Sequence, residues 1–248
     1  MFVAELFEAQ ELKKLVIMPG GFHPFHTGHM SLYNSAVKAF PGADIYVAAT
    51  NDTSERPFPF EAKKELAALA GIPNGHFVQV KSPFQAKEIT QHYDPNTTVL
   101  IFVRSEKDRN EQPQAGGNKK DGTPAYLQPI GTNLQPMSKH GYMAYLPTVE
   151  FPAGPSGVTS ASEIRSMWPK ADDNTKQQIA IDLYPKNPAR AIEILNGAIT
   201  EDASGVIATK SQAKDPRYSM SLTKDVRPGQ IDKNLKAFHL EGKHNGTD

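Results

Sequence analysis

The chain has 248 residues, no cysteine, and equal numbers of basic and acidic side chains, 27 of each. Disulfides, thiolate metal sites and a cysteine nucleophile are thereby excluded, and zero formal charge argues against a basic nucleic-acid clamp or a polybasic membrane binder. No apolar run approaches the roughly 20 residues that cross a bilayer, and the opening stretch carries no signal-peptide core. The expectation is a soluble, cytoplasmic protein without nucleic-acid or membrane partners, long enough for one sizeable domain plus an appendage.

Phe2, Leu6, Ala9 and Lys13 read as one face of a short amphipathic helix. The apolar run Leu15 to Met18 then ends at Pro19-Gly20-Gly21, and Met30 to Phe40 carries helical periodicity through Leu32, Ala36 and Val37. A second run, Ile45 to Ala49, precedes a strong helix former over Glu61 to Ala70, closed by Gly71. Phe77 to Val80 reads as a strand and Gln85 to Tyr93 as a helix. Val99 to Val103 is the clearest buried strand, and Ala144 to Phe151 is a weaker one interrupted by Pro147. Asp173 to Tyr184 and Pro188 to Ile199 read as two more helices. Strands alternating with helices, the strands nearly all apolar, predict an α/β fold: a Rossmann-like, doubly wound parallel sheet of about five strands with flanking helices. Ligands in such sheets sit beyond the carboxyl ends of the strands, so the loops after Met18, Ala49, Val103 and Phe151 are where chemistry is expected.

Two segments stand apart. Ser105 to Gly141 is rich in Gly, Pro, Asn, Gln and Lys and reads as a long loop, functional or disordered. Residues 200–248 have few large apolar side chains and read as an extended or disordered tail, in which Asp215 to Leu222 would serve as a linear docking segment or a linker. The expected organisation is one domain over 1–199, with core 15–170 and helical end 171–199, followed by that tail.

Gly20-Gly21-Phe22-His23-Pro24-Phe25-His26-Thr27-Gly28-His29 joins the first strand to the first helix. Two glycines allow a tight turn and a close ligand approach. A helix beginning near Thr27 would set its unpaired N–H groups and positive dipole end beside His26 and His29, which share a helical face. That is an anion pocket suited to phosphates. Three histidines within seven residues could also ligate zinc, but no further ligand cluster is evident and no protein-held metal is expected.

Ser160-Ala161-Ser162-Glu163 has the capping-box pattern, Ser160 as N-cap and Glu163 reaching back. A cation in the early turns of a helix opposes the macrodipole, so Arg165 is better placed if an anion also sits there. Ser162, three residues before Arg165, is expected on the same face.

Gly21 to His29 resembles the G-x-F-x-P-x-H-x-G-H signature of the nucleotidylyltransferase superfamily, and Thr159-Ser160-Ala161-Ser162-Glu163-Ile164-Arg165 resembles its second signature, I-S-S-T-x-I-R. The two stand about 130 residues apart, in the family's order, and the likeness covers roughly residues 15 to 195. It implies a Rossmann-like domain that transfers a nucleotidyl group from a nucleoside triphosphate, with Mg²⁺, to a phosphorylated small-molecule acceptor and releases pyrophosphate. On that reading His26, His29 and Arg165 are catalytic. Gly20, Gly21, Phe22, His23, Gly28, Ser160 and Ser162 bind nucleotide, and Arg104, Ser105 and Asp108 after the strongest strand hold base and ribose. Where cytidylyltransferases carry Asp, this chain has His23, which tells against CTP. The second motif is most similar to the nicotinamide-mononucleotide group, so AMP transfer from ATP to nicotinamide mononucleotide, in NAD biosynthesis, is the first expectation. Cytidylyl or another adenylyl transfer is the alternative. A reading of a different class is a non-catalytic nucleotide-binding or assembly protein docked through its tail. A protein partner for the tail and a homo-oligomer stay open.

Other candidates are weaker. Lys63 and Lys64 fall in a region similar to the family's second-substrate segment, although an exposed helix face accounts for both. Asp44 and Asp52 could assist Mg²⁺, but their spacing does not demand it. Met137-Ser138-Lys139-His140 matches the M-S-K loop of class I aminoacyl-tRNA synthetases, a coincidence in a chain this short that already has Arg165 for phosphates.

Overall fold

A computed structural model describes residues 12–53, 56–149 and 152–199. The expected N-terminal helix and the 200–248 tail lie outside the described residues. Six parallel strands form one sheet in the order β3-β2-β1-β4-β6-β5. They are β1 (Lys13–Gly20), β2 (Asp44–Ala49), β3 (Phe77–Gln79), β4 (Thr98–Ser105), β5 (Leu127–Pro129) and β6 (Gly141–Leu146). The helices are α1 (Thr27–Ala39), α2 (Phe60–Ala70), α3 (Lys87–Thr90), α4 (Ala161–Met167), α5 (Asp173–Leu183) and α6 (Pro188–Ala198). No described helix is long and apolar enough to cross a membrane.

Alternation along the central strands explains why they read as continuous apolar runs. Val16 and Met18 of β1 join Val99, Ile101 and Val103 of β4 beneath Leu32, Tyr33 and Ala36 of α1. Leu15 and Ile17 join Leu100, Phe102 and Met143 on the other face, covered by Ala86, Ile89 and Met137. Both faces are therefore buried. A further core gathers Phe58, Leu66, Trp168, Ile179, Leu183 and Leu195, where α2 meets the three C-terminal helices. From it the buried Tyr184 hydroxyl donates to the carbonyl of Phe25, 2.6 Å away in the β1–α1 loop.

Three expectations need correction. The sheet has six strands, because β5 lies inside the segment read as a loop; it is an edge strand of three residues whose one large apolar side chain, Leu127, gives no pattern. The helix expected over Gln85 to Tyr93 is a single turn, since Ala86 adopts a left-handed conformation (φ +44°) just before it. The strand expected at Ala144 to Phe151 begins at Gly141 and ends before Pro147, which cannot donate to a ladder.

Strand order reverses about β1, which lies between β2 and β4. The crevice between the carboxyl ends of β1 and β4 is the topological switch point, where α/β sheets hold their ligands.

Candidate active site

A cavity of about 250 Å³ opens at that switch point. It is lined by His26, Gly28 and His29 at the start of α1, by Ser105, Lys107 and Asp108 after β4, by Thr148 and Val149 after β6, and by Thr159, Ser160 and Ala161 at the start of α4. The two motif segments, distant in sequence, thus share one cavity.

α1 begins at Thr27 with an unusual cap. His26 is the N-cap, and its Nδ1 accepts from the N–H of Gly28 at 3.1 Å. The N–H of His26 in turn donates to Nδ1 of His29 at 3.3 Å, so two histidines perform the reciprocal capping that Ser and Glu usually supply. A ring nitrogen that accepts from a main-chain N–H carries a lone pair. In each neutral imidazole the proton therefore sits on Nε2, leaving that atom as a donor. Burial keeps both rings neutral: it lowers His29 to about 4 and holds His26 well below its ordinary value, the neighbouring His29 adding to the second effect. The rings lie 3.9 Å apart between centroids.

The backbone before this cap is tightly wound. Phe22 is left-handed (φ +52°), and its ring packs edge-on against His29 and lies over Gly20, where an added Cβ would meet it at 2.6 Å. Only glycine fits beneath that ring.

α4 carries the capping box expected of it. Ser160 Oγ accepts from the N–H of Glu163 at 3.2 Å, and the Glu163 carboxylate accepts from the N–H groups of Thr159 and Ser160 at 2.7 and 3.2 Å. These bonds hold the Glu163 carboxyl below the usual carboxylate range. Ser160 lines the cavity, whereas Ser162 is exposed and does not. Arg165 also stands outside the lining. Its Nη1 donates to the carbonyl of His23 and, at 3.1 Å, to that of Ala161. Its Nε is buried without a partner among the described residues, and no described carboxylate pairs with it. Burial, reinforced by Arg56, lowers it to about 10, so it remains a cation at neutral pH.

Ser105 and Asp108 line the cavity, and burial together with Glu111 raises the Asp108 carboxyl. Arg104 does not face it. That buried guanidinium ion-pairs with Glu111 at 2.8 Å and donates to the carbonyls of Glu111 and Gln112 at 3.1 and 3.3 Å, folding the segment after β4 back on itself. Gly20, Gly21, Phe22 and His23 form the loop behind the histidine pair rather than the wall. Asp44, at the opposite end of β2, is held by Lys13 and Tyr93. The Met137 to His140 turn also lies at that far end, Met137 donating its N–H to Thr98 at the start of β4.

No family model matches the chain. Over 96 residues it is 33% identical to the phosphopantetheine adenylyltransferase of Lacticaseibacillus casei (strain BL23), a match that spans 37% of this chain and 53% of that protein. The phosphopantetheine adenylyltransferase of Lacticaseibacillus paracasei matches to the same extent. The chain is distantly similar to an adenylyltransferase. It spans about half the length of these curated relatives.

Sequence reasoning missed one feature of this region. Lys63 lies on no exposed face; it is fully buried, while Lys64 beside it is exposed. The signal was present in the helical spacing of Phe60, Lys63 and Ala67, which sets Lys63 within the apolar stripe. Lys63, Arg56 and Arg165 all act on the His23 imidazole, which burial and these cations together lower to about 2.

Proposed function

We propose that the protein is a nucleotidyltransferase that moves an adenylyl group from ATP to a phosphomonoester acceptor and releases pyrophosphate. The observation that carries this reading is the single cavity bounded by the His26–His29 pair and the start of α4, with two uncharged imidazole donors on one side and Ser160 on the other. Such a wall suits a polyphosphate: hydrogen bonds to its charged oxygens are charge-assisted, and the N-terminal end of α1 adds a favourable dipole. Arg165, a half-buried cation with no described carboxylate, balances negative charge beside the loop.

An acceptor phosphate oxygen attacks the α-phosphorus, a new P–O bond forms, and the bond from the α-phosphorus to the bridging oxygen breaks, so that pyrophosphate leaves with the electron pair. The nucleophile is already ionised, and the protein contributes position and electrostatic stabilisation rather than a base. His29 would face the α-phosphate, His26 the β- and γ-phosphates, and Ser160 the departing pyrophosphate, with Arg165 contributing only its charge from outside the cavity wall. Among the described residues no group of three or more His, Asp or Glu is arranged to hold a metal. Mg²⁺ would instead enter on the triphosphate, where it neutralises phosphate charge; Asp108 is the carboxylate of the cavity wall nearest to such a role.

For the acceptor, the second motif favours nicotinamide mononucleotide and the similar curated proteins favour phosphopantetheine. Both are phosphomonoesters. Pyrophosphate release from MgATP or MgCTP, measured against each acceptor separately, tests the reading. Release that requires ATP and one of these acceptors supports it, and no release above the acceptor-free rate with any pair removes it.

A further inference from the structure

The Lys63 ammonium has three hydrogens and three acceptors around it. These are the carbonyl of Gly21 at 3.1 Å, the carbonyl of Thr50, and Nε2 of His23 at 3.2 Å. Its side chain has no solvent exposure. Every donor is spent within the protein, so none remains for a ligand. We propose that Lys63 is a positioning residue: it pins the Gly21–His23 backbone and the His23 ring to the end of β2, and so sets where the histidine cap of α1 stands relative to the cavity. This deepens the nucleotidyl-transfer reading and rests on it.

Two features support the assignment. The loop is gripped from both sides, Lys63 holding Gly21 and the ring of His23 while Arg165 of α4 holds the His23 carbonyl. The gripped residues lie three to five positions before His26, with no regular structure between them to fix the angle at which α1 leaves the sheet. A donor that also accepts could not serve all three partners. A neutral amine has only two hydrogens, so the pin works as a cation. The groups facing it are His23 from the β1–α1 loop and Asp52 and Arg56 from the β2–α2 connection. Burial lowers Lys63 to about 8, Asp52 opposing and Arg56 reinforcing the effect.

The full chain and its Lys63→Met and Lys63→Arg variants test this by steady-state pyrophosphate release from MgATP across a pH series, and by ¹⁵N NMR of the imidazoles. Lys63→Met should lose about tenfold or more in kcat with a smaller change in KM for ATP, the mark of misplaced rather than missing contacts. The wild type should lose kcat as pH rises through about 8, and Lys63→Arg, which stays charged, should keep most of its kcat and lack that limb. His23 in the wild type should carry its proton on Nδ1, and that preference should vanish in Lys63→Met. Wild-type kcat in Lys63→Met overturns the proposal, as does an unchanged alkaline limb in Lys63→Arg. Should Lys63→Met fail to fold, the Lys63→Arg profile decides alone. If the wild type releases no pyrophosphate with any acceptor, the nucleotidyl-transfer reading falls. The NMR comparison still decides the pin: an unchanged His23 tautomer in a folded Lys63→Met overturns it.

Discussion

The main-chain N–H of His26 donates to Nδ1 of His29, and the ring of His26 returns a bond to the same turn through Gly28. The two imidazoles thus cap the helix through Nδ1 and line the cavity at once. On the proposed function, this double use would tie helix stability to catalysis at one pair of side chains.

His29→Ala removes both uses. A lost N-terminal cap costs about 1 kcal/mol, and loss of one preorganised donor to the reacting phosphate costs about 10²–10³ in kcat. His29→Asn retains an acceptor for the His26 N–H, so it should recover most of the stability and little of the turnover. Urea unfolding and pyrophosphate release separate the two, and near-wild-type turnover in His29→Ala would remove His29 from the reaction.

Acid should destabilise the protein early. His23, His26 and His29 all have folded-state values below the ordinary 6.5, so the unfolded chain takes up protons first as pH falls. Stability is complete above that value and declines as pH drops, the His29 part of the loss ending near 4. Urea midpoints at pH 7 and pH 5 check this. His29→Asn should show a smaller drop than wild type, and equal midpoints for wild type at the two pH values would contradict the expectation.

Gly20→Ala should be costly although Gly20 has no left-handed backbone. Its Cβ would meet the Phe22 ring at 2.6 Å, and that ring supports His29. The ring must shift, at about 1–3 kcal/mol. Thermal unfolding measures the cost. A parallel loss of ATP affinity by calorimetry is expected, and unaltered affinity would show that His29 does not depend on the ring.

Arg104→Ala and Glu111→Gln should behave alike. Arg104 is engaged with Glu111 and the neighbouring carbonyls, so its removal should loosen the segment that carries Ser105 and Asp108 and raise KM for ATP. A direct ligand would behave otherwise: Arg104→Ala alone would raise KM, with Glu111→Gln unaffected.

What could be read in advance was whatever is local. The start of α1 at Thr27 and the Ser160–Glu163 box depend on residues within four positions of each other, and both stand where the pattern put them. The apolar runs of β1 and β4 were equally plain because both sheet faces are covered. The identity of the cap was hidden, since nothing in a run of histidines says that their Nδ1 atoms are taken by the backbone. Lys63 was misread because its three acceptors lie 13 to 42 residues upstream. Arg104 lost its expected role to a carboxylate seven residues on, and Ser162 is exposed while Arg165 on the same short helix reaches back to the carbonyls of His23 and Ala161, a partnership that the spacing of the two residues does not reveal.

The bond from Tyr184 to Phe25 reaches across 159 positions of sequence and ends one residue before the histidine cap. The last two helices therefore act as a brace for the turn that presents the imidazoles. A shortened version of this protein that stops near residue 170, on the view that everything with a motif has been kept, would discard that brace, and its poor turnover would say nothing about the chemistry.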